Sequence, residues 1–245
     1  MKKVKILGVK IDNLSFLATL KKIESFIESG KPHQIATVNS EFIMASQKDS
    51  EFKKILNAAD LAVPDGIGPI FASGFLYGRK NRLKERIAGI DLVWELAKIA
   101  SEKGWSIYFL GAAPGVAKKT ANRLRLIHRN LKIAGVSEGQ PKFSENQVIR
   151  DIKKSKANIL LVAYGAPKQD EFIHNNLKKL GAKVAMGVGG SFDFIIGKQI
   201  RAPKWLQKLG LEWLWRLIRE PKRAGRIFTA TVRFPWSVFW SKFKT

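Results

Sequence analysis

The residues best suited to chemistry are few, polar, and placed at the ends of apolar runs. Asp65 follows Leu61-Ala-Val-Pro64 and precedes Gly66. This reads as a short buried strand delivering one carboxylate to a glycine turn. Asp-Gly is a common turn pair. The same carboxylate is also a candidate general base, provided a substrate hydroxyl comes within hydrogen-bond reach. Thr37, Asn39 and Ser40 end another apolar run. Asn39 or Ser40 is a natural helix cap, and Thr37 and Asn39 are alternatively placed to bond a sugar or phosphate beside a helix N-terminus. Gln169 begins a helix after Tyr164-Gly-Ala-Pro-Lys168, and its functional reading has it facing a crevice. Asp193 closes Gly187-Val-Gly-Gly-Ser-Phe, where three glycines permit close backbone approach to a ligand. There Asp193 either caps a turn or accepts hydrogen bonds from a base or ribose. Gly111-Ala-Ala-Pro-Gly115 resembles a phosphate-cradling turn without being a full G-x-G-x-x-G. Arg86 lies in a basic stretch from Arg79.

Other chemistries are disfavoured. With no cysteine, disulfides, thiolate metal sites and a Cys nucleophile are excluded. His33, His128 and His174 show no ligand spacing, and there is no Asp-x-Asp, so no metal and no cofactor is expected. Neither a G-x-S-x-G elbow nor a Ser-His-Asp arrangement is visible.

The elements that must position these groups alternate. Strands are expected at residues 4–11, 34–38, 61–63, 105–110, 131–136, 159–163 and 183–188. Helices are expected from Asn13 or Ser15, from Asn39-Ser40, from Asp49-Ser50, and over 67–76, 90–101, 116–127, 144–154 and 167–179. This succession specifies an α/β fold, a Rossmann-like parallel sheet with helices on both faces. The candidate groups then mostly share the sheet edge where such folds bind ligands. Near Gly197 the pattern changes. Leu206, Leu209, Trp213 and Leu217 fall on one helical stripe, Pro221 breaks it, and Pro235 limits or kinks the next helix. The reading is a core over 1–197 and a helical C-terminal appendage over 198–245.

The 245-residue chain carries a net charge of +24, which directs it toward polyanions: nucleic acid, anionic membrane or phosphorylated substrates. Residues 198–245 hold twelve Lys/Arg against only Glu212 and Glu220, and five of the seven tryptophans. Tryptophan favours the headgroup region and each cation adds about 1 kcal/mol at an anionic surface, so this segment reads as membrane-docking. No apolar run approaches the ~20 residues that span a bilayer, and no signal peptide is seen. The expected location is cytoplasmic, peripheral to the inner face of the cell membrane. Exposed apolar tail surface invites weak self-association. Charge alone also allows a basic Rossmann-like protein that binds or modifies nucleic acid. A dinucleotide oxidoreductase is disfavoured by the incomplete glycine fingerprint, and a non-catalytic membrane scaffold is a further alternative.

Six motifs in order carry a more specific resemblance. They are Thr37-Val-Asn39, Pro64-Asp-Gly66, Glu85-Arg-Ile-Ala-Gly-Ile-Asp-Leu92, Phe109-Leu-Gly111 through Pro114-Gly115, Gly165-Ala-Pro-Lys-Gln-Asp170, and Gly187-Val-Gly189 through Phe192-Asp193. Together they resemble the WecG/TagA/CpsF bacterial glycosyltransferases, over roughly residues 35–230. The family pattern more often has Glu where this chain has Asp170. The resemblance implies a fold of the GT-E type and an inverting, metal-independent transferase. It implies a UDP-sugar donor, most simply N-acetylmannosamine, and an undecaprenyl-diphosphate-linked N-acetylglucosamine acceptor, as in teichoic acid linkage-unit synthesis, with no nucleic-acid partner. By the same resemblance Asp65 is the base, and Thr37, Asn39 and Gln169 contact sugars or position the acceptor. Asp193 touches the nucleotide, Arg86 assists at a phosphate, and Gly111 lies in the binding loop. Arg216, Arg223 and Arg226 close over the site and neutralise the UDP leaving group.

Overall fold

A computed structural model describes residues 2–138 and 145–243. The chain opens with a two-stranded antiparallel hairpin, β1 (Lys3–Ile6) and β2 (Val9–Asp12). The single strand expected over 4–11 is therefore two. Leu7 and Gly8 both take positive φ, 48° and 87°, which reverses the chain in two residues. Helix α1 (Phe16–Glu28) follows, capped by Ser15, whose hydroxyl accepts from the Ala18 amide.

Six parallel strands form the main sheet: β3 (His33–Val38), β4 (Leu61–Pro64), β5 (Ser106–Gly111), β6 (Lys132–Glu138), β7 (Ile159–Ala163) and β8 (Val184–Gly187). Their spatial order is β4-β3-β8-β7-β5-β6. Strands β7 and β8 are buried along their whole length, as expected of strands covered on both faces.

The helices connecting them are α2 (Ser40–Lys48), α3 (Ser50–Ala58), α4 (Ile67–Tyr77), α5 (Gly89–Lys103), α6 (Val116–Ile127), α7 (Glu145–Ser155), α8 (Lys168–Leu180) and the short α9 (Ser191–Ile195). Ser144, the expected start of α7, lies outside the described residues. One core joins α1, α5, α6 and α9 to one face of the sheet through Ile23, Leu92, Leu96, Phe109 and Phe192. On the other face, α2, α3 and α4 pack through Ile43, Phe52 and Leu56, and α7 and α8 through Ile152 and Ile173.

Beyond the sheet, the expected stripe from Leu206 to Leu217 is split. Helix α10 (Lys204–Lys208) ends at Gly210, whose φ of 74° stops it, and α11 (Glu212–Arg219) begins afresh. A Cβ on Gly210 would sit 3.3 Å from Ile67, so the turn seats against the start of α4. A 3₁₀ turn over Pro221–Arg223 leads to α12 (Ala224–Phe228), a π-helical turn over Thr229–Arg233, and α13 (Phe234–Ser241). Pro235 cannot donate to the carbonyl four residues back, and the wider turn lies where that bond is missing. Phe234 and Val238 are buried in the cluster that holds Val38, Phe42 and Ile70. Helix α13 is thus part of the core. Phe234→Ala should lower stability by about 3 kcal/mol in a urea melt, the usual cost of removing a buried ring. A change near zero would mean that α13 is only loosely applied.

Candidate active site

The sheet brings the C-terminal ends of β3, β4 and β8 side by side. The Asp65 amide donates to the Val38 carbonyl at 2.8 Å, fixing the carboxylate just beyond β4 and beside β3. The Ile87 amide donates to the Pro64 carbonyl at 2.8 Å, drawing the 83–88 segment alongside and placing Arg86 next to Asp65. Helix α5 has no side-chain cap of its own. Its Gly89 N–H serves the Asp65 carboxylate instead, an anion at a helix N-terminus. A Cβ at Gly89 would stand 3.7 Å from Asp65 Oδ2 and 3.3 Å from Thr37 Cγ2, so glycine permits this approach.

Burial dominates the titration of Asp65. Desolvation pushes its carboxyl from 3.8 up to about 6; Arg216 and Arg86 draw it down, and Glu212 pushes it up. A carboxyl in this range is mostly ionised at neutral pH yet more basic than an exposed one, which suits a general base.

Arg216 arrives from α11. Glu212, in the first turn of that helix, bridges the two guanidinium groups: Oε2 meets Arg86 Nη1 at 3.0 Å and Oε1 meets Arg216 Nη2 at 3.2 Å. Arg216 also lies over the Phe194 ring, 5.1 Å from its centroid. Arg201 forks onto both oxygens of Asp91 in the first turn of α5, tying the start of the appendage to the core.

Other expected site residues have structural occupations. Thr37 is buried and its hydroxyl donates to the Gly187 carbonyl at 3.1 Å, clamping β3 to β8. Gln169 is 1% exposed, and its Oε1 accepts from the Gly189 amide at 3.0 Å. It therefore braces the glycine turn from beneath and does not project freely into the crevice. A Cβ at Gly187 would fall 2.4 Å from Gln169 Nε2, so that strand end requires glycine. Asn39 caps α2 through Oδ1, which accepts from Phe42 N at 3.0 Å; its amide NH₂ is the part left for a ligand. Asp193 lies in the first turn of α9 and faces Lys198 at 3.5 Å. Burial pushes Asp170, beneath Gln169, up to about 7, and Gln169 offsets this only in part.

Gly111 has a left-handed φ of 95°, and a Cβ there would meet the Tyr164 ring at 2.8 Å. Its glycine is explained by packing. At the end of the same loop, the Gly115 amide donates to Glu138 at 2.8 Å, so a carboxylate of the chain already serves the start of α6. Of the appendage arginines, Arg223 reaches the glycine turn: a Cβ on Gly190 would lie 3.9 Å from its Nη2. Its Nε pairs with Glu220 at 2.8 Å. Arg226 stands at the opposite rim, its Nε 2.6 Å from Glu41 in the first turn of α2.

Sequence reasoning passed over Glu212, Arg201 and Asp91. A signal existed for the first: Glu212 and Glu220 are the two acids among the twelve cations of the last 48 residues, and each pairs with an arginine that was singled out.

An α/β crevice enzyme with a half-buried carboxylate at the ligand edge of its sheet and converging arginines is the class these features define. The sequence profile of the glycosyl transferase WecG/TagA/CpsF family matches residues 4–245, and the chain belongs to that family. It is a glycosyltransferase; the nucleic-acid alternative raised by charge gives way to this assignment. A relative from Bacillus subtilis (strain 168), named N-acetylglucosaminyldiphosphoundecaprenol N-acetyl-beta-D-mannosaminyltransferase, is 36% identical over 88% of this chain and 82% of its own. A protein of the same name from Staphylococcus aureus (strain MRSA252) is 33% identical over 92% of this chain and 88% of its own.

Two opposite effects are expected of Asp65→Asn. Because the native carboxyl titrates above its ordinary 3.8, ionising it costs stability as pH rises from about 4 through about 6. The amide removes that cost, so at pH 8 the variant should be more stable by roughly 1–3 kcal/mol in urea. Turnover should fall by roughly 10²–10⁴, and the wild-type kcat/KM should decline below about pH 6. Unchanged turnover would remove Asp65 from the chemistry.

Proposed function

We propose that this enzyme moves N-acetylmannosamine from a UDP-linked donor to N-acetylglucosamine carried on undecaprenyl diphosphate, with inversion and without a metal. The observation that supports the reading best is the Asp65 carboxylate, half-buried between a core arginine and an appendage arginine at the ligand edge of the sheet. The names of the two relatives supply the acceptor and the transferred sugar.

In this mechanism an acceptor hydroxyl donates its hydrogen bond to Asp65. Its oxygen attacks the anomeric carbon as the proton passes to the carboxylate. The bond from that carbon to the donor's phosphate oxygen breaks, and UDP departs with the electron pair. The charge developing on that oxygen needs fixed positive partners. Arg86, Arg216 and Arg223 supply them, since guanidinium groups grip phosphate oxygens in pairs. The Asn39 amide and Asp193 are assigned to sugar and nucleotide contacts, and Thr37 and Gln169 hold the two loops in register. Arg226 closes the rim against α2.

A lipid-borne acceptor puts the reaction at a bilayer surface. No helix among the described residues is long and apolar enough to cross one. Large apolar side chains are exposed nonetheless: Phe71 is 67% and Trp236 64% exposed, beside Phe75, Phe239 and Trp240. Phe75 and Phe239 lie 6.1 Å apart, joining α4 to α13. A groove of about 360 Å³ on this flank is lined by Ile70, Phe71, Gly74, Phe75, Arg79 and Arg82. Aromatic side chains beside cations suit an anionic headgroup layer, and this supports peripheral docking through 198–245 with α4 at its edge.

Incubation with a panel of UDP-sugars and a soluble-chain lipid-diphosphate N-acetylglucosamine should release UDP fastest with UDP-N-acetylmannosamine. A faster alternative donor would overturn the sugar assignment, and no release with any donor would overturn the reaction. Because Phe234 belongs to the core, deleting 198–245 would confound folding with function. Arg223→Ala is the cleaner probe of leaving-group stabilisation and should lower kcat at least tenfold in the same assay.

A further inference from the structure

The Arg86–Glu212–Arg216 bridge has a shape that the proposed reaction does not use. One carboxylate lies between two guanidinium groups, taking one on each oxygen at 3.0 and 3.2 Å. Its side chain is only 15% exposed. Two guanidinium groups splayed around one small anion is also the way arginines hold a phosphate. Arg86 comes from the core and Arg216 from the appendage, so the carboxylate fastens one to the other.

The local charge is already balanced. Arg86, Arg201 and Arg216 face Asp65, Asp91 and Glu212, and Arg201 feels both Glu212 and Asp65 besides the Asp91 it grips. A diphosphate entering this balanced set adds negative charge with no unmatched guanidinium to meet it. It gains two if Glu212 withdraws. Glu212 stands at the first position of α11, immediately after Gly210-Leu211. A rotamer change can swing its carboxylate outward while Arg216, one turn on, stays over the site.

We propose that Glu212 is an internal stand-in for the substrate diphosphate: it keeps Arg86 and Arg216 positioned for phosphate and is exchanged for it on binding. Glu212 is thus a positioning residue that also sets how tightly nucleotide diphosphate is held. Its departure changes the surroundings of Asp65, which the 83–88 segment faces with Arg86, the α5 N-terminus with the Gly89 amide, α11 with Arg216 and Glu212, and the segment before α10 with Arg201. The incoming phosphates take over the place of the Glu212 charge, so Arg86 and Arg216 stay neutralised and Asp65 keeps an anion opposite its cationic partners.

This inference rests on reading Arg86 and Arg216 as the diphosphate seat, and its test does not need sugar transfer. Binding of inorganic pyrophosphate to the full chain is measured by calorimetry in metal-free buffer, with circular dichroism confirming the fold. Glu212→Gln keeps the shape and removes the competing charge, so it should bind pyrophosphate at least about tenfold more tightly than wild type. Glu212→Asp, which restores the charge, should return affinity toward the wild-type value. Equal or weaker binding by Glu212→Gln overturns the proposal, because a mere structural tie would lose affinity when cut. In turnover assays the kcat/KM profile reports the free enzyme, where Glu212 is one of the groups that raise Asp65, so its acid limb should lie at lower pH in Glu212→Gln. The kcat profile reports the occupied site, which Glu212 has left, so there the two limbs should coincide. A kcat limb displaced as far as the kcat/KM limb counts against the exchange. If wild type binds pyrophosphate but transfers no sugar, the proposed reaction fails and the comparison of variants still decides this inference.

Discussion

The site depends on keeping one carboxylate charged in a place that disfavours charge. Water is partly withdrawn from Asp65, and this is the strongest influence on it. Three groups work the other way: the Gly89 N–H at the start of α5, Arg86 on the neighbouring segment, and Arg216 from the far end of the chain. Arg86 and Gly89 come from one short stretch of chain, whereas Arg216 comes from a helix far along the sequence. The geometry of the sheet edge is what lets them meet, through the paired ends of β3 and β4 and the bond from Ile87 to Pro64. A carboxylate stabilised from one direction alone would be either an inert ion-pair partner or a neutral acid. Opposed influences leave it in the range where it can accept a proton from a hydroxyl.

The appendage is tied to that site at several points of different character. Arg201 grips Asp91 with both arms, Glu212 joins Arg86, Arg226 reaches Glu41, and Phe234 and Val238 bury one face of α13. The first three are polar and lie around the crevice; the last is apolar and packs behind it, with Phe234 against Gly68. Apolar burial is the sturdier kind of anchor, whereas partly exposed ion pairs contribute little each and are screened by salt. The chain thus has a fixed end at α13 and a more adjustable stretch from α10 to the 3₁₀ turn, and the arginines that matter most lie on the adjustable part.

Much of the sheet could be read from the sequence. Strands such as Ile159–Ala163 are uninterrupted apolar runs, and a parallel sheet covered on both faces demands such runs. The hairpin at the start escaped notice because Leu7 turns at a positive φ usually left to glycine, asparagine or aspartate, and the apolar alternation continues across it. Helix α9 hid in a glycine-dense segment of five residues. Asp65 was legible because a lone carboxylate after a strand stands out from its surroundings. The placements of Thr37 and Gln169 were not, since a polar side chain at a strand end looks the same whether it faces a ligand or a backbone carbonyl. Glu212 and its two arginines lie far apart along the chain or one helical turn apart, and pairings of the first kind leave no local trace.

Helix α4 links two of these features mechanically. It starts two residues after Asp65 and ends among the exposed rings of Phe71, Phe75 and Tyr77. Eleven residues at about 1.5 Å each make a rigid rod about 16 Å long. On the proposed docking, that rod is a ruler: it sets the height at which the base stands above the lipid phosphates. An acceptor sugar joined to its lipid by a spacer of the matching reach comes level with Asp65, while one carried on a much longer or shorter stem does not.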